Sequence, residues 1–203
     1  MFLSLDGVDG AGKSTQIQLL RTWLEEQGHA VVTCRDPGST ELGEALRRVV
    51  LSENGIPIAR TSEMLLYMAA RAQLVHQVIQ PALAAGRTVL CDRFLLANVV
   101  YQGHAGGLDA EQLWRVGEVA TGGLHPDLTI VLDMEARAAQ HRRTREPDRM
   151  EAQGLHYLER VRQGYLREAQ LDHERIVVVS ADQPADAVQA EIRHAISHQL
   201  RIG

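Results

Sequence analysis

GVDGAGKST, residues 7–15, lies between a short apolar run and a stretch whose apolar residues recur with helical periodicity. Residues 7–14 match the pattern G-x-x-x-x-G-K-[ST], and a position between a strand and a helix is the context that this pattern requires. In such a loop the backbone N–H groups surround phosphate oxygens, a lysine reaches the β and γ phosphates, and a serine hydroxyl binds Mg²⁺. The sequence therefore predicts a nucleoside-triphosphate site formed by Gly7, Val8, Asp9, Gly10, Ala11, Gly12, Lys13, Ser14 and Thr15.

Five short apolar runs rich in β-branched residues are the strand candidates, at residues 2–5, 30–34, 88–91, 128–132 and 176–179. Longer stretches with helical periodicity separate them, and strands that alternate with helices pair in parallel. The runs are continuous rather than alternating, so helices must cover both faces of the sheet. We therefore predict an α/β fold, with a doubly wound five-stranded parallel sheet flanked by helices, in one domain spanning residues 1–203.

The overall composition is that of a globular protein without a nucleic acid partner. The 203 residues carry a formal net charge of −5 with a pI of about 6.0, which gives no electrostatic reason to expect a nucleic acid polymer. No apolar run approaches the roughly 20 residues that span a bilayer, and Asp6 interrupts the N-terminal run too early for a signal peptide. Cys34 and Cys91 lie in apolar runs, which favours reduced core thiols. We expect a cytoplasmic protein with no membrane partner.

A carboxylate and a guanidinium follow the third predicted strand. Ligands of doubly wound sheets bind beyond the carboxyl ends of the strands, where Asp92 could organise Mg²⁺ and Arg93 would enter the same phosphate-rich cleft. An isolated Asp-Arg pair is usually a surface ion pair of little consequence. The position of this pair at a strand end, in a chain with a phosphate-binding loop, favours a function.

A basic segment follows the fourth predicted strand. It contains Arg142, Arg143, Arg145 and Arg149 and is interrupted by Pro147. A charge run of this kind can be only a solvated face. Its alternative role is that of a lid that closes over the triphosphate, excludes water and places guanidinium groups on the transferring phosphoryl.

Further motifs extend over nearly the whole chain and resemble those of bacterial thymidylate kinases. The family pattern Arg-Glu-Pro-Gly-Gly-Thr is present at residues 35–40 as RDPGST, and the base-binding helix of the family is similar to MLLYMAAR at residues 64–71. The other matches are LGE at 42–44 with Arg47, DRF at 92–94, YQG at 101–103, PDL at 126–128, DRME at 148–151, and Tyr165.

This resemblance implies a nucleoside-monophosphate kinase fold, with a short lid at about residues 142–151, and transfer of the γ-phosphoryl group of ATP to dTMP. It also implies ATP and Mg²⁺ as cofactors and a homodimer. The catalytic residues would be Lys13, Asp9, Arg93, Arg142 and Arg149, and the metal-binding residues Ser14, Asp9 and Asp92. The acceptor would contact Asp36, Pro37, Arg47, Tyr67, Arg71, Arg93, Asn98, Tyr101 and Gln102.

Individual roles in the acceptor site also follow from the resemblance. Tyr67 would stack on thymine, and Arg71, four residues later on the same helix face, would read a carbonyl of the base. Asn98 would pair with the base. Tyr101 would crowd the 2′ carbon of the sugar, and Asp9 would lie near the 3′-hydroxyl and the metal.

The chain departs from the family pattern at several positions. Asp36 replaces the usual Glu, Ser39 the second Gly, and Tyr67 the usual Phe, while residues 96–98 read LAN where many relatives have Asp-Ser-Ser. Gly10 occupies the position at which some relatives carry an arginine, which implies that lid arginines supply the guanidinium here.

Two other functions fit the phosphate-binding loop. A deoxynucleoside kinase would use a carboxylate such as Asp36 as general base toward a hydroxyl, whereas an acceptor that is itself a phosphate monoester needs none. A regulatory P-loop ATPase would hydrolyse nucleotide slowly without any acceptor.

Overall fold

The structure, a computed structural model, describes residues 1–51, 56–142 and 149–200. Its centre is a five-stranded sheet in which every neighbouring pair is parallel, in the order β2-β3-β1-β4-β5. The strands are β1 (Phe2–Gly7), β2 (Val31–Arg35), β3 (Thr88–Asp92), β4 (Leu128–Asp133) and β5 (Ile176–Ser180). The predicted doubly wound fold is confirmed, and each strand continues slightly beyond the carboxyl end of its apolar run.

Helices connect successive strands, and a further helix follows the last strand. They are α1 (Lys13–Glu26), α2 (Glu41–Leu51), α3 (Arg60–Leu74), α4 (Gln80–Ala84), α5 (Leu95–Asn98), α6 (Ala110–Thr121), α7 (Ala136–Arg142), α8 (Leu155–Leu171) and α9 (Ala185–Leu200). The π-helical turns Val75–Ile79 and Val99–Ala105 follow α3 and α5, and the 3₁₀ turn Glu151–Gln153 precedes α8. None of the helices in the described ranges is long and apolar enough to cross a membrane.

Burial along the strands reflects their position in the sheet. All of β1 is buried, and β3 and β4 are buried except for their last residues. The edge strands β2 and β5 contain buried, partly buried and exposed positions, and Val178 of β5 is 40% exposed. The prediction of cover on both faces therefore holds for the inner strands, while the two outer strands keep part of their surface in water.

The strand register brings the predicted motifs to one edge of the sheet. Leu5 of β1 lies beside Asp92 of β3, and Asp92 lies beside Arg35 of β2. The phosphate-binding loop, the segment after β2 and the Asp92-Arg93 pair therefore emerge side by side. Gly7 closes β1 with a φ of 129°, and a Cβ there would lie 2.5 Å from the carbonyl oxygen of Leu132, so only glycine fits.

Candidate active site

Lys13 lies buried at the centre of the phosphate-binding loop. Its Nζ donates to the carbonyl oxygens of Gly7 (3.2 Å) and Val8 (3.1 Å) and to Oδ1 of Asp9 (3.3 Å). Burial lowers the pKa of Lys13, as does the nearby charge of Arg93, and the carboxylate of Asp9 opposes this shift. The loop thus holds an ammonium group in a fixed position at the N-terminus of α1.

Two adjoining pockets open at this edge of the sheet. The first, here called the P-loop pocket, is lined by Asp9, Gly10, Gly12, Lys13, Ser14, Thr15, Arg35, Asp36, Arg47, Asp92, Arg93 and Arg142. The second, the α3 pocket, is lined by Asp9, Asp36, Pro37, Arg47, Leu51, Tyr67, Arg71, Arg93, Ala97, Asn98, Tyr101, Gln102 and Met150. Four residues belong to both linings, namely Asp9, Asp36, Arg47 and Arg93.

Arg93 is held in this shared wall by partners on several elements. Its guanidinium pairs with Asp9 at 2.8 Å, donates to the hydroxyls of Tyr165 (3.0 Å) and Tyr101 (3.2 Å), and lies 4.9 Å from the ring centroid of Tyr101. Its φ of 67° is uncommon for a non-glycine residue, and such strained residues are concentrated at functional sites. The arginine is therefore fixed between the two pockets.

Asp9 carries a permanent negative charge beside these cations. Burial acts to raise its pKa, but the charges of Arg93 and Lys13 outweigh burial and hold the pKa of Asp9 well below its usual range. The hydroxyl of Tyr101 also lies 3.4 Å from Oδ2 of Asp9. Asp9 thus connects the loop lysine with the arginine of the shared wall.

A buried ion pair forms the floor of the α3 pocket. Oδ2 of Asp36 accepts from Nε of Arg71 at 2.5 Å, and both side chains are almost fully buried. Burial raises the pKa of Asp36, against the charge of Arg71. Oδ1 of Asp36 has no hydrogen-bond partner among the described residues. This oxygen is itself buried, so it is an unsatisfied acceptor in the wall of the pocket.

Comparison with known proteins identifies the family. The family model described as thymidylate kinase matches residues 5–192. The chain belongs to the thymidylate kinase family. Curated thymidylate kinases from Symbiobacterium thermophilum and Clavibacter sepedonicus are 45% and 48% identical, and each comparison covers 98% of this chain and 94% or 95% of the relative. The crystal structure of thymidylate kinase from Ehrlichia chaffeensis has a TM-score of 0.80 at 26% identity and covers 97% of this chain and 98% of that one.

The structure groups most of the residues that the family resemblance singled out. Pro37, Tyr67, Asn98, Tyr101 and Gln102 line only the α3 pocket. Ser14, Thr15, Asp92 and Arg142 line only the P-loop pocket, as do Gly10, Gly12 and Lys13. Gly7, Val8 and Ala11 are buried behind the loop, where they shape it without lining either pocket.

The two arginines predicted for the lid lie in different surroundings. Arg142, at the end of α7, donates to the carbonyl of Ala181 at 3.0 Å and lines the P-loop pocket. Arg149 lines neither pocket; it donates to the carbonyl of Val50 at 2.7 Å and pairs with Glu63. Arg143, Arg145, Pro147 and Asp148 lie outside the described residues, as does the side chain of Glu151.

Ser39 shows how a departure from the family pattern is accommodated. It replaces a glycine of the family and adopts a φ of 62°, a region that glycine enters without strain. Its hydroxyl accepts from the backbone N–H of Arg35 at 2.9 Å, and its own N–H donates to Glu44 at 2.8 Å. These hydrogen bonds offset part of the strain.

The sequence interpretation assigned no site role to several neighbours of the two pockets. Arg35 lines the P-loop pocket, Met150 lines the α3 pocket, and Glu63 is buried behind Gln102. The helical period offered a signal for Glu63, because it precedes Tyr67 by four residues on α3 and so shares its face. Arg35 and Met150 lie within the RDPGST and DRME matches to the family pattern, but the resemblance gave neither residue a role.

Proposed function

We propose that the P-loop pocket binds ATP and the α3 pocket binds dTMP. The reaction of this chain is the transfer of the γ-phosphoryl group of ATP to dTMP, which gives ADP and dTDP. The observation that carries the assignment is the wall that the pockets share, in which Arg47 and Arg93 lie beside Asp9 and Asp36. A phosphoryl group that passes from one pocket to the other must cross this wall.

The charges of the shared wall suit this transfer. Phosphoryl transfer spreads negative charge over the phosphate oxygens, and fixed cations stabilise that charge. Lys13 and Arg93 supply such cations, and Arg47, whose guanidinium donates to the carbonyl of Pro37 at 2.9 Å, supplies another. Because the phosphate of dTMP is already ionised at neutral pH, no general base is required. Asp9 therefore orients Arg93 and Lys13 in this proposal.

The remaining residues of the α3 pocket would recognise the nucleoside. We assign Tyr67 to stacking on the base, and Arg71 and Asn98 to its polar edge, because all three line this pocket and are buried. Tyr101, which adjoins Asp9 and Arg93, would contact the sugar. Gln102 lies next to Asn98 and would hold it in place.

The P-loop pocket offers ligands that fit Mg²⁺. This ion prefers oxygen ligands and usually binds through one or two protein groups, with water and phosphate oxygens completing its shell. Ser14 is exposed and Asp92 lines the same pocket, so their oxygens fit this role. Asp9 is engaged by Lys13 and Arg93 and would contribute less directly. The metal would neutralise phosphate charge when bound.

The lid remains part of the proposal. We propose that the segment 142–151 covers the triphosphate within the single kinase domain. Arg142 already borders the P-loop pocket, whereas Arg149 would have to leave Glu63 before it could approach a phosphate. The contacts therefore favour Arg142 as the phosphate-binding arginine of the segment and give Arg149 a second role, developed below.

A homodimer and a cytoplasmic location complete the proposal. Helix α3 packs against both α2 and α6, and each of the three carries exposed apolar side chains that a second subunit could cover: Leu42, Val49, Leu65 and Val119. Cys34 and Cys91 lie opposite each other on β2 and β3 as free thiols, which suits a reducing compartment. The molar mass in solution tests the dimer.

Two substitutions test the assignment of the pockets. Ser14 lines only the P-loop pocket and Asn98 only the α3 pocket. Asn98→Ala should raise KM for dTMP while KM for ATP stays close to wild type, because a buried polar contact with the base is lost. Ser14→Ala should instead lower kcat or raise KM for ATP without a matching change for dTMP. The opposite pattern would reverse the assignment.

A further inference from the structure

A chain of buried hydrogen bonds lies behind the α3 pocket. Arg71 donates to Oδ1 of Asn98 at 3.1 Å, Nδ2 of Asn98 donates to Oε1 of Gln102 at 2.7 Å, and Nε2 of Gln102 donates to Oε1 of Glu63 at 2.8 Å. All four residues are buried, Arg71 almost completely. Polar groups this deep in the protein depend on one another for their hydrogen bonds.

The two ends of this chain determine its direction. A carboxylate only accepts and a guanidinium only donates, whereas an amide group can do either, depending on how it is turned. With Glu63 at one end, Gln102 must turn its N–H₂ toward it and its carbonyl toward Asn98. With Arg71 at the other end, Asn98 must turn its carbonyl toward the guanidinium. Only one orientation of the two amides satisfies every contact.

Arg149 makes the burial of Glu63 possible. It pairs with Oε2 of Glu63, the oxygen that Gln102 does not use, and donates from Nε to the carbonyl of Val50. A buried carboxylate without a countercharge is costly, so this ion pair lets position 63 remain an obligate acceptor. The contact joins the end of the lid segment to the amide chain.

We propose that Glu63 is a positioning residue that, together with Arg71, determines which pyrimidine the enzyme accepts. Glu63 is absent from the lining of the α3 pocket and acts through Gln102 on Asn98, which does line it. Thymine presents an N3–H donor and a 4-oxo acceptor, whereas cytosine presents an N3 acceptor and a 4-amino donor. An Asn98 amide that could turn over would offer both donor and acceptor and would lose this discrimination. This inference rests on the proposed binding of dTMP in the α3 pocket.

Glu63→Gln provides the test. The substitution keeps the shape of the side chain but allows position 63 to donate to Gln102, so that of the two fixed ends only Arg71 still opposes reversal of the two amides. We expect kcat/KM for dTMP relative to dCMP to fall about tenfold or more, mainly through KM, while KM for ATP changes little. A folded variant with an unchanged ratio overturns the proposal. Wild-type ADP formation with dTMP, read in the same assay, tests the proposed function separately.

Two further variants separate positioning from general destabilisation. Glu168→Gln is the matched control, because Glu168 is another buried carboxylate that accepts from two side chains, His104 (2.6 Å) and Trp114 (3.1 Å), outside both pockets. It should leave the dTMP to dCMP ratio unchanged. An equal fall of the ratio in this control would show that the effect is not specific to Glu63, and would overturn the proposal.

The double substitution Glu63→Gln with Gln102→Glu exchanges the two groups. The new carboxylate at position 102 can accept from both neighbours, so Asn98 again has one orientation, and the amide at position 63 still accepts from Arg149. We expect the preference for dTMP to return in this variant, even where Glu63→Gln alone does not fold. A double variant that is unfolded, or that is folded without the preference, contradicts the proposed hydrogen-bond direction.

Discussion

At the residue scale, Asp6 is a buried carboxyl directly behind the phosphate-binding loop. It is fully buried, and it accepts from the hydroxyls of Ser4 (2.7 Å) and Tyr165 (3.2 Å). Burial raises its pKa to about 6, against the hydrogen bond from Ser4 and the charges of Arg93 and Lys13. The folded protein therefore binds a proton at Asp6 more tightly than the unfolded chain does.

The raised pKa predicts a specific pH dependence of stability. Between the unfolded pKa of 3.8 and the folded value of about 6, the folded state holds the extra proton, so the stability contribution of Asp6 falls as pH rises through this window. Asp6→Asn should gain stability relative to wild type from pH 4 to pH 7, by roughly 3 kcal/mol at most. Denaturant unfolding at a series of pH values measures this difference. If the free energies of unfolding of the two proteins changed with pH in the same way, the prediction would be contradicted.

Arg142 and Arg149 should differ in what their loss does. Arg149→Ala leaves the buried carboxylate of Glu63 without its countercharge, so we expect it to lower the free energy of unfolding by about 2 kcal/mol or more. Arg142 is 46% exposed in its ion pair with Asp182, so Arg142→Ala should lower the free energy of unfolding by less than ~1 kcal/mol. It should instead raise KM for ATP. Unfolding curves and steady-state kinetics on both variants give the answer. A larger loss of stability in Arg142→Ala would reverse the assignment.

At the element scale, helix α7 packs directly on the phosphate-binding loop. Gly10 has a φ of 95°, and a Cβ there would lie 2.1 Å from the carbonyl oxygen of Ala139 in α7. No side chain fits without moving the helix or the loop. Packing against α7 therefore excludes an arginine at position 10. Helix α7 also precedes the proposed lid segment, so it joins that segment to the loop that would hold the phosphates.

Gly10→Ala should separate this packing from ordinary backbone strain. Gly28 is the control, because its φ of 86° is similar and no described atom would lie within 4 Å of an added Cβ. Alanine at either position is strained by the positive φ, which should lower the free energy of unfolding by roughly 1 kcal/mol. Gly10→Ala should lower it by about 1–3 kcal/mol more, because its added Cβ overpacks against α7. Free energies of unfolding for the two variants test this. Equal losses of unfolding free energy in the two variants would mean that α7 moves aside without a measurable cost, which would contradict the prediction.

The elements that sequence could predict are those with a local cause. The strands were predictable because their apolar runs are buried by the sheet itself, and the phosphate-binding loop because its glycines and lysine stand at fixed spacing. The pairing of Arg149 with Glu63 joins residues 86 positions apart and has no local signature. The exposed positions of β2 and β5 likewise follow from strand order, which the runs alone do not reveal.

At the scale of the whole molecule, the proposed assignment places the two substrates side by side. Parallel strands deliver the phosphate-binding loop, Asp36 and Arg93 to one edge of the sheet, and α3 supplies Tyr67 and Arg71 to the neighbouring pocket. Family membership determines the reaction, and in the proposed assignment the shared wall brings donor and acceptor phosphates together. The central claim is therefore that turnover requires a monophosphate in the α3 pocket.

The most direct test is a coupled ADP-release assay with ATP and one acceptor at a time. We predict strong stimulation by dTMP and little by thymidine, because only the monophosphate carries a nucleophilic oxygen that needs no general base. Lys13→Ala should lose several orders of magnitude of this dTMP-dependent turnover, and its melting curve checks that the variant is folded. Preference for thymidine, or equal ADP release without any acceptor, would contradict the account.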